Sequence, residues 1–521
     1  MITASSGSSS IPPLFFSLSK ILSGDIDCSS LCLEEHSVDG SPYSVRPQAV
    51  IYPKTTTDIK HAISFAHEYQ IPLTCAGGMT ASSGGSLGEG MILDMTRYFS
   101  SIKNMNTMEH TVTVGAGVTI DSLRKKLDEW NMELPLLQEE RSDATVGGLI
   151  ATKSATPSTF YTGTVREWIE AVTVVVDSGE EHVIKDGINP SGRLLGIYQS
   201  VFPLLSENAP IIRAARREQG DDATGYSLWT MSIGPRQLLD QIVGSEGTLA
   251  VITGVTFRLI QKKRHSETIL VPIRELKLIE TTIAIAKHHR AESLFLFDNS
   301  FRTLTDILHP HLLNETMDRY PYFLIITLRD DDGGTLVHRL HALKKVLPID
   351  ISYILDAKKA SIISSHSFRH SLFTSYSKGA HKVATSAEGI IVPLSSYGEC
   401  IEALDTKLGQ SGRLYTITGF AGSGHIALTA SFDTHSLAYE FDLQSYREDV
   451  FSIVQTWKGG LSAIGGDGLE RTSSLPYVFN EKARDLFKKL KLAWDPSSVF
   501  NPSKKIYISK DYLMKHTSRI A

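Results

Sequence analysis

The sequence predicts a mixed α+β or α/β protein of two or three domains, and three observations lead there. The chain has 521 residues, too long for one compact core. Short apolar runs of strand length alternate with segments at helical spacing, with glycine turns between them. Hydrophobic residues make up 41% and charged residues 21%, which is ordinary globular usage. No apolar run reaches the roughly 20 residues needed to span a bilayer.

Residues 1–44 form an N-terminal segment. Its first ten residues are Ser-rich and carry no Lys or Arg. The apolar run that follows is broken by Pro12 and Pro13, which makes it a poor signal-peptide core. Four cysteines, Cys28, Cys32, Cys75 and Cys400, are too scattered for a disulfide framework. Cys28 and Cys32 lack the second ligand pair of a zinc site. Reduced thiols in a cytoplasmic protein are the expectation. The formal charge of −5 and the lack of any basic tail give no pull toward nucleic acid or anionic lipid.

Residues 45–262 carry the densest strand, helix and turn signals. Ile59, Ala62, Ile63 and Ala66 fall on one helical face after Thr55, Thr56 and Thr57, which suit a helix N-terminus. Strands are expected over 71–75, 91–95 and 111–114. A second amphipathic helix aligns Ile120, Leu123, Leu127 and Trp130. Runs 171–176 and 181–184 read as a hairpin around Asp177–Ser178–Gly179. From 263 to 455 glycine thins out, and longer apolar runs at 268–273, 293–297 and 322–328 mark a second domain. Residues 456–521 return to glycine-rich turns, then a charged helix and Asn501–Pro502.

The loop after the expected strand 71–75 holds Gly77, Gly78, Thr80, Ser82, Ser83, Gly84 and Gly85. Without side chains in the way, successive N–H groups can face one anion, and Thr and Ser hydroxyls add donors. Taken alone, such a loop is more often flexible surface. The standard nucleotide fingerprints are missing. Gly115–Ala116–Gly117 has Ile120 where the third glycine of a dinucleotide motif belongs, and no P-loop occurs.

Further glycine clusters follow in order: Thr145–Val146–Gly147–Gly148 with Ala151–Thr152, then Tyr161–Thr162–Gly163, then Gly244–Ser245–Glu246–Gly247–Thr248–Leu249 before Val251–Ile252. This order resembles the FAD-binding domain of the vanillyl-alcohol-oxidase/p-cresol-methylhydroxylase type. The resemblance begins near Leu22–Ser23–Gly24–Asp25 and Asp39–Gly40–Ser41–Pro42–Tyr43. It continues through Arg46–Pro47 and Gly225–Tyr226–Ser227–Leu228 to Asn501–Pro502, nearly the whole chain. It is nearest to the FAD-linked D-lactate, glycolate and D-2-hydroxyglutarate dehydrogenases.

The resemblance implies an FAD-binding domain of two α+β subdomains over 45–262 and an inserted α+β substrate or cap domain over 263–455. The C-terminal segment 456–521 would close on the FAD site. Gly77, Gly78, Met79, Thr80, Ser83 and Gly84 would hold the pyrophosphate. Thr145, Gly147, Gly148, Thr152, Gly163, Glu246, Gly247 and Ile252 would line the flavin and adenine portions, and Asn501 would close the site. Departures are Ala76 where Arg is common, Lys153 where Asn is common, and Ser503 where Gly usually precedes Lys504.

In this branch, resemblance implies a metal held by two histidines of one glycine loop and a glutamate of a second, with a catalytic histidine after the glutamate. Both loops persist here, and those side chains do not. Phe420 and Ala427 stand at the two histidine positions, Ile464 at the glutamate and Gly465 at the catalytic histidine. None of them can ligate a metal or carry a proton, so no metal is expected. His425, where Asn is usual, is either a relocated base or a histidine satisfied within its loop. Arg369 and Lys382 take the places of the relatives' substrate-carboxylate cations, with solvated surface charge as the alternative reading for both.

The expectation is an FAD-dependent oxidoreductase acting on a D-lactate- or glycolate-like 2-hydroxyacid, or a related alcohol, without the family's metal. Its partners would be a small-molecule substrate and an electron acceptor of unspecified kind. The alternative is an FAD-binding pseudoenzyme or non-catalytic subunit. A flavin-free scaffold is disfavoured by the glycine inventory.

Overall fold

The computed structural model describes residues 11–517 apart from 104, 217–221, 229–235, 311, 314–318, 349–351, 366–371, 373–380 and 385. Its first sheet is built from β1 (Asp25–Asp27), β2 (Ala49–Tyr52), β3 (Leu73–Ala76) and β4 (Met91–Asp94), in the order β1-β2-β4-β3. β2 and β3 both run parallel to β4, so a helical crossover has to join β2 to β3. That crossover is the helix Thr56–Tyr69. The Thr55 side chain accepts from the Asp58 N–H and the Asp58 side chain from the Thr55 N–H, a reciprocal N-terminal cap. Ile59, Ala62, Ile63 and Ala66, the predicted apolar stripe, pack with Ile51, Leu73 and Leu93.

Next come β5 (Thr111–Gly115), β6 (Met132–Glu133), β7 (Ile169–Val175), β8 (Glu181–Lys185), β9 (Val251–Arg258) and β10 (Ile260–Gln261). The second sheet runs β5-β9-β7-β8 with antiparallel pairs, and β6 pairs with β10. The expected hairpin is β7–β8. Its turn uses Gly179 at φ +78°, a conformation that side-chain-bearing residues rarely adopt.

The third sheet is antiparallel and drawn wholly from residues 265–433. It contains β11 (His265–Ile273), β12 (Ser293–Asp298), β13 (Tyr322–Asp330), β14 (Tyr353–Leu355), β15 (His381–Ala384), β16 (Ile390–Ile391), β17 (Tyr415–Phe420) and β18 (His425–Asp433). The order is β14-β11-β13-β12-β17-β18-β15, with β16 also on β18. Side chains alternate between faces, and both faces are buried. Ile269, Leu294, Leu296, Leu324 and Ile326 join one core with the helices Gly333–Val346 and Tyr397–Gly409. Leu270, Phe295, Phe297, Phe323, Ile325 and Phe420 form the opposite core, together with Phe301 and Ile464.

The chain's last part returns to the first two sheets. The helix Glu481–Trp494 buries Leu486, Phe487, Leu490 and Trp494 in the core beneath the second sheet. Beyond it, the Leu73 N–H donates to Val499 O at 2.8 Å and the Asn501 N–H to Leu73 O at 2.8 Å. The C-terminal segment is thereby laid alongside β3.

Candidate cofactor and active site

A cleft of about 1150 Å³, open mouth included, lies between the first two sheets. Its walls come from the end of β3, the glycine loop after it, the start of the helix Val146–Ala151, and the turn before β9. Gly77, Gly78, Met79, Thr80, Thr145, Gly147, Gly148, Thr152, Glu246, Gly247 and Ile252 all line it.

The two glycine-rich walls touch. A Cβ on Gly77 would sit 2.1 Å from Thr145 Oγ1, and one on Gly78 would sit 2.1 Å from Asp143 O. At Gly78 backbone therefore meets backbone, and at Gly77 backbone meets the Thr145 side chain, where a Cβ would hold the walls apart. Among the described residues, Arg141 is the one cation on the lining, and its guanidinium is already bound to Asp143 at 3.0 and 2.7 Å. A diphosphate placed here has to be held by main-chain amides and by a hydroxyl such as that of Thr80. Those donors are the ones the lining presents, so the residues fit an FAD-sized dinucleotide.

Four expected cofactor residues stand behind the wall instead of on it. The Ser83 hydroxyl donates to Gly465 O at 2.5 Å. Gly84, at φ +76°, packs beside Leu469. Gly163, at φ +78°, ends the short helix Thr159–Thr162. Asn501 donates through Nδ2 to Gly85 O at 2.9 Å and to Glu246 O at 2.7 Å, and its Oδ1 accepts from the Thr74 hydroxyl at 3.1 Å. It clamps the loops that form the cleft. Sequence position near a motif does not distinguish a lining residue from a buttress.

Glu246 lines the cleft, while its carboxylate is engaged on the far side. It accepts the N–H groups of Asp467 at 2.6 Å and Gly468 at 2.7 Å, and pairs with Lys505 at 2.9 Å. Lys505 also pairs with Asp467 at 3.1 Å. Burial pulls the Lys505 ammonium down, and the Asp467 and Glu246 charges outweigh it, leaving its pKa above the usual lysine value. This buried triad escaped the sequence reading, although a lone acid in Gly465–Gly466–Asp467–Gly468 was a signal for it.

At the other end of the site, Phe420 and Ile464 share one apolar cluster with Phe295 and Phe297. Ile464 and Gly465 form the cleft's boundary there. Phe420 sits opposite Phe295 across the strands, and Ala427 opposite Thr418. His425 is fully buried. The Phe420 N–H donates to its Nδ1 at 3.2 Å, so Nε2 carries the proton and donates to Glu388 O at 2.7 Å. Both ring nitrogens are thus held by backbone, and the histidine does not line the cleft. That corrects its candidacy as a relocated base, because its only lone pair is already used. Lys382 lies in β15 opposite Phe432, and Arg369 falls outside the described residues.

Glu140, Arg141 and Ser154 also line the cleft. The Ser154 hydroxyl donates to Glu140. No glycine pattern or motif spacing marks these residues, and nothing in the sequence could have paired them.

Comparison with known proteins agrees with the cleft. Residues 47–185 match the FAD binding domain family, and residues 281–505 match the C-terminal domain of FAD linked oxidases. The chain is 23% identical over 509 residues to D-2-hydroxyglutarate dehydrogenase of Escherichia coli strain K12, covering 90% of this chain and 49% of that protein. It therefore spans about half the length of that relative. It is 21% identical over 505 residues to a D-lactate dehydrogenase of Anaerostipes hadrus, with 94% of this chain and 95% of the relative covered. Among solved structures, 4-ethylphenol oxidase from Gulosibacter chungangensis in an isoeugenol complex superposes with a TM-score of 0.68 at 14% identity, over 96% of this chain and 97% of that one. An alkyldihydroxyacetonephosphate synthase superposes at 0.65 and 13% identity, over 95% and 86%. The α+β fold with a p-cresol-methylhydroxylase-type FAD-binding domain is the one observed, and its cofactor is FAD. Among the described residues, no helix is long and apolar enough to cross a membrane.

Proposed function

We propose, from the premise that this chain belongs to the FAD-linked oxidases, that it oxidises a small 2-hydroxyacid or related alcohol without the divalent metal of that chemistry. The domain assignment that goes with this reading gives 45–262 to FAD binding and 263–455 to the substrate cap, with 456–521 closing the site. When bound, FAD supplies the two-electron acceptor. The chain's own residues grip the diphosphate with main-chain amides, exclude water with the apolar wall at Ile464, and place the substrate beside it.

The observation that carries this reading is the cleft itself. Its side-chain-poor lining fits a dinucleotide, and its inner boundary at Ile464 and Gly465 meets the cap sheet through the cluster around Phe420. Phe420, Ala427, Ile464 and Gly465, none of which can ligate a metal, support the metal-free part. If the substrate is a hydroxyacid, Arg369 remains the candidate for its carboxylate.

The test is anaerobic titration of FAD-reconstituted protein with D-lactate, glycolate, D-2-hydroxyglutarate and neutral alcohols. Bleaching of the flavin absorbance by one of them is the expected result. A flavin that dithionite reduces and no alcohol bleaches would overturn the reading. The second reading, an FAD-binding subunit without dehydrogenase activity, is favoured by one observation: both ring nitrogens of His425 are held by main chain. It expects that second outcome.

A further inference from the structure

Two-electron reduction of FAD adds a hydride and leaves negative charge on the ring. A protein favours that step by aiming fixed donors and positive charge at it. Arg471 stands directly behind the boundary of the cleft at Ile464 and Gly465. Its guanidinium is fully buried. Nη1 donates to Ile464 O and Gly466 O, both at 2.6 Å, and Nε donates to Ser386 O at 3.0 Å. Ser386 lies between β15 and β16 of the cap sheet, so one side chain joins the cap to the cleft wall.

The Ile464 carbonyl shares a planar, trans peptide with the Gly465 N–H, so that N–H points away from the guanidinium. Gly465 lines the cleft and is partly exposed there. Among the described residues, none accepts from its N–H. Its own carbonyl accepts from the Ser83 hydroxyl at 2.5 Å, which fixes the next peptide too. Glycine is needed at this position. Its φ is +74°, and a Cβ would sit 3.1 Å from Ser82 Oγ and 3.7 Å from Arg471 Nη1. Burial pulls the Arg471 pKa down, and the charges of Glu388, Glu470, Asp467 and Glu246 oppose that, Glu388 most strongly. Glu470 is paired with Arg447, and Asp467 and Glu246 with Lys505. A guanidinium remains charged throughout.

We propose that Arg471 is a positioning residue for flavin reduction: it holds the Gly465 N–H toward the cleft and sets its own charge behind it, so that the two together favour the reduced, negatively charged ring. This rests on the oxidoreductase reading in one respect, that the ring occupies the end of the cleft bounded by Ile464, where the cap meets it. A guanidinium on the carbonyl end of a peptide polarises it and strengthens the N–H as a donor. A donor oriented in advance, with a cation behind it in the low-dielectric interior, acts more strongly than the same groups in water.

The FAD-loaded protein tests this without any alcohol. One readout is the midpoint potential of the bound flavin. The other is the affinity for sulfite, whose lone pair bonds to the ring and leaves negative charge on it. Arg471→Gln should weaken sulfite binding by about tenfold and lower the potential by about 30 mV, the two-electron equivalent of that factor. Arg471→Lys keeps the charge and loses the fork, so it should hold FAD less tightly while sulfite affinity stays within about threefold of the parent. Glu388→Gln removes the carboxylate that most opposes the guanidinium and should move both readouts the other way. That variant tests the charge even where an Arg471 variant does not fold.

Arg471→Gln and Arg471→Lys proteins that lose FAD alike, with potential and sulfite affinity unchanged, overturn the proposal, because Arg471 then only braces the loop. A Glu388→Gln protein whose potential stays or falls overturns it as well. Potentials and sulfite affinities that shift as expected, in a protein whose flavin no alcohol bleaches, uphold the role of Arg471 and count against the oxidoreductase reading instead.

Discussion

A Cβ added at Gly78 would stand 2.1 Å from the Asp143 carbonyl oxygen, and main chain on both sides has little room to yield. Gly78→Ala should push the two walls of the cleft apart and disturb the amides that hold the diphosphate. The expected outcome is a folded protein that retains FAD at least about tenfold less well, read as flavin absorbance per chain after gel filtration. Lys505 makes the opposite case, a site where side chains matter most. Its ammonium is buried between Glu246 and Asp467, and removing it leaves two buried carboxylates without their cation. Lys505→Met should cost about 3–5 kcal/mol, the usual scale for breaking a buried pair. Replacing all three residues by neutral ones of similar volume should cost less than the single change. Urea midpoints of the two variants check this, and a triple variant weaker than Lys505→Met would refute it.

Elements on the first sheet are tied together by a second buried pair. The helix Ser30–Glu35 ends at His36, whose Nε2 lies 3.1 Å from an Asp94 oxygen at the end of β4 and whose Nδ1 lies 2.9 Å from Cys32 O. Burial pulls the imidazole down, while the hydrogen bonds to Asp94 and Cys32 more than offset it, so its pKa stands above the usual histidine value. A raised value in the folded state means stabilisation fully present below the unfolded pKa of about 6.5 and lost as pH rises through the folded value. His36→Gln should therefore cost about 1–2 kcal/mol at pH 5.5 and markedly less at pH 9, measured by urea unfolding at both. The helices and strands nearest such contacts were legible because local pattern dictates them: the stripe Ile59, Ala62, Ile63 and Ala66, and the hairpin about Gly179, follow from periodicity and turn chemistry. Apolar runs at 268–273, 293–297 and 322–328 announced β11, β12 and β13, but not that both their faces would be buried. A run such as Phe295–Leu296–Phe297 is apolar at every position, so alternation cannot reveal which core each side chain enters.

Whole-molecule organisation explains what the sequence withheld about the site. Glycine loops announce themselves locally, whereas the contacts that set them in place join residues hundreds of positions apart: Ser83 to Gly465 and Glu246 to Lys505. Such pairs are dictated by topology and leave no local spacing to read. Asn501 is the sharpest instance, since one side-chain amide joins Gly85, Glu246 and Thr74, three walls of one cleft, from a segment near the chain's end. Its two donated bonds demand an –NH₂ group; a carboxylate there would face two carbonyl oxygens. Asn501→Ala and Asn501→Asp should both loosen the cleft while the third sheet, built only from residues 265–433, stays folded. FAD at 100 times its dissociation constant stabilises a folded protein by about 2.7 kcal/mol. At that same FAD concentration, a variant that binds about tenfold more weakly keeps only about half of this gain. Melting curves with and without FAD should show that loss in both variants, with circular dichroism unchanged. An Asn501→Asp protein stabilised by FAD as fully as the parent would mean that the C-terminal segment does not hold the cofactor walls together.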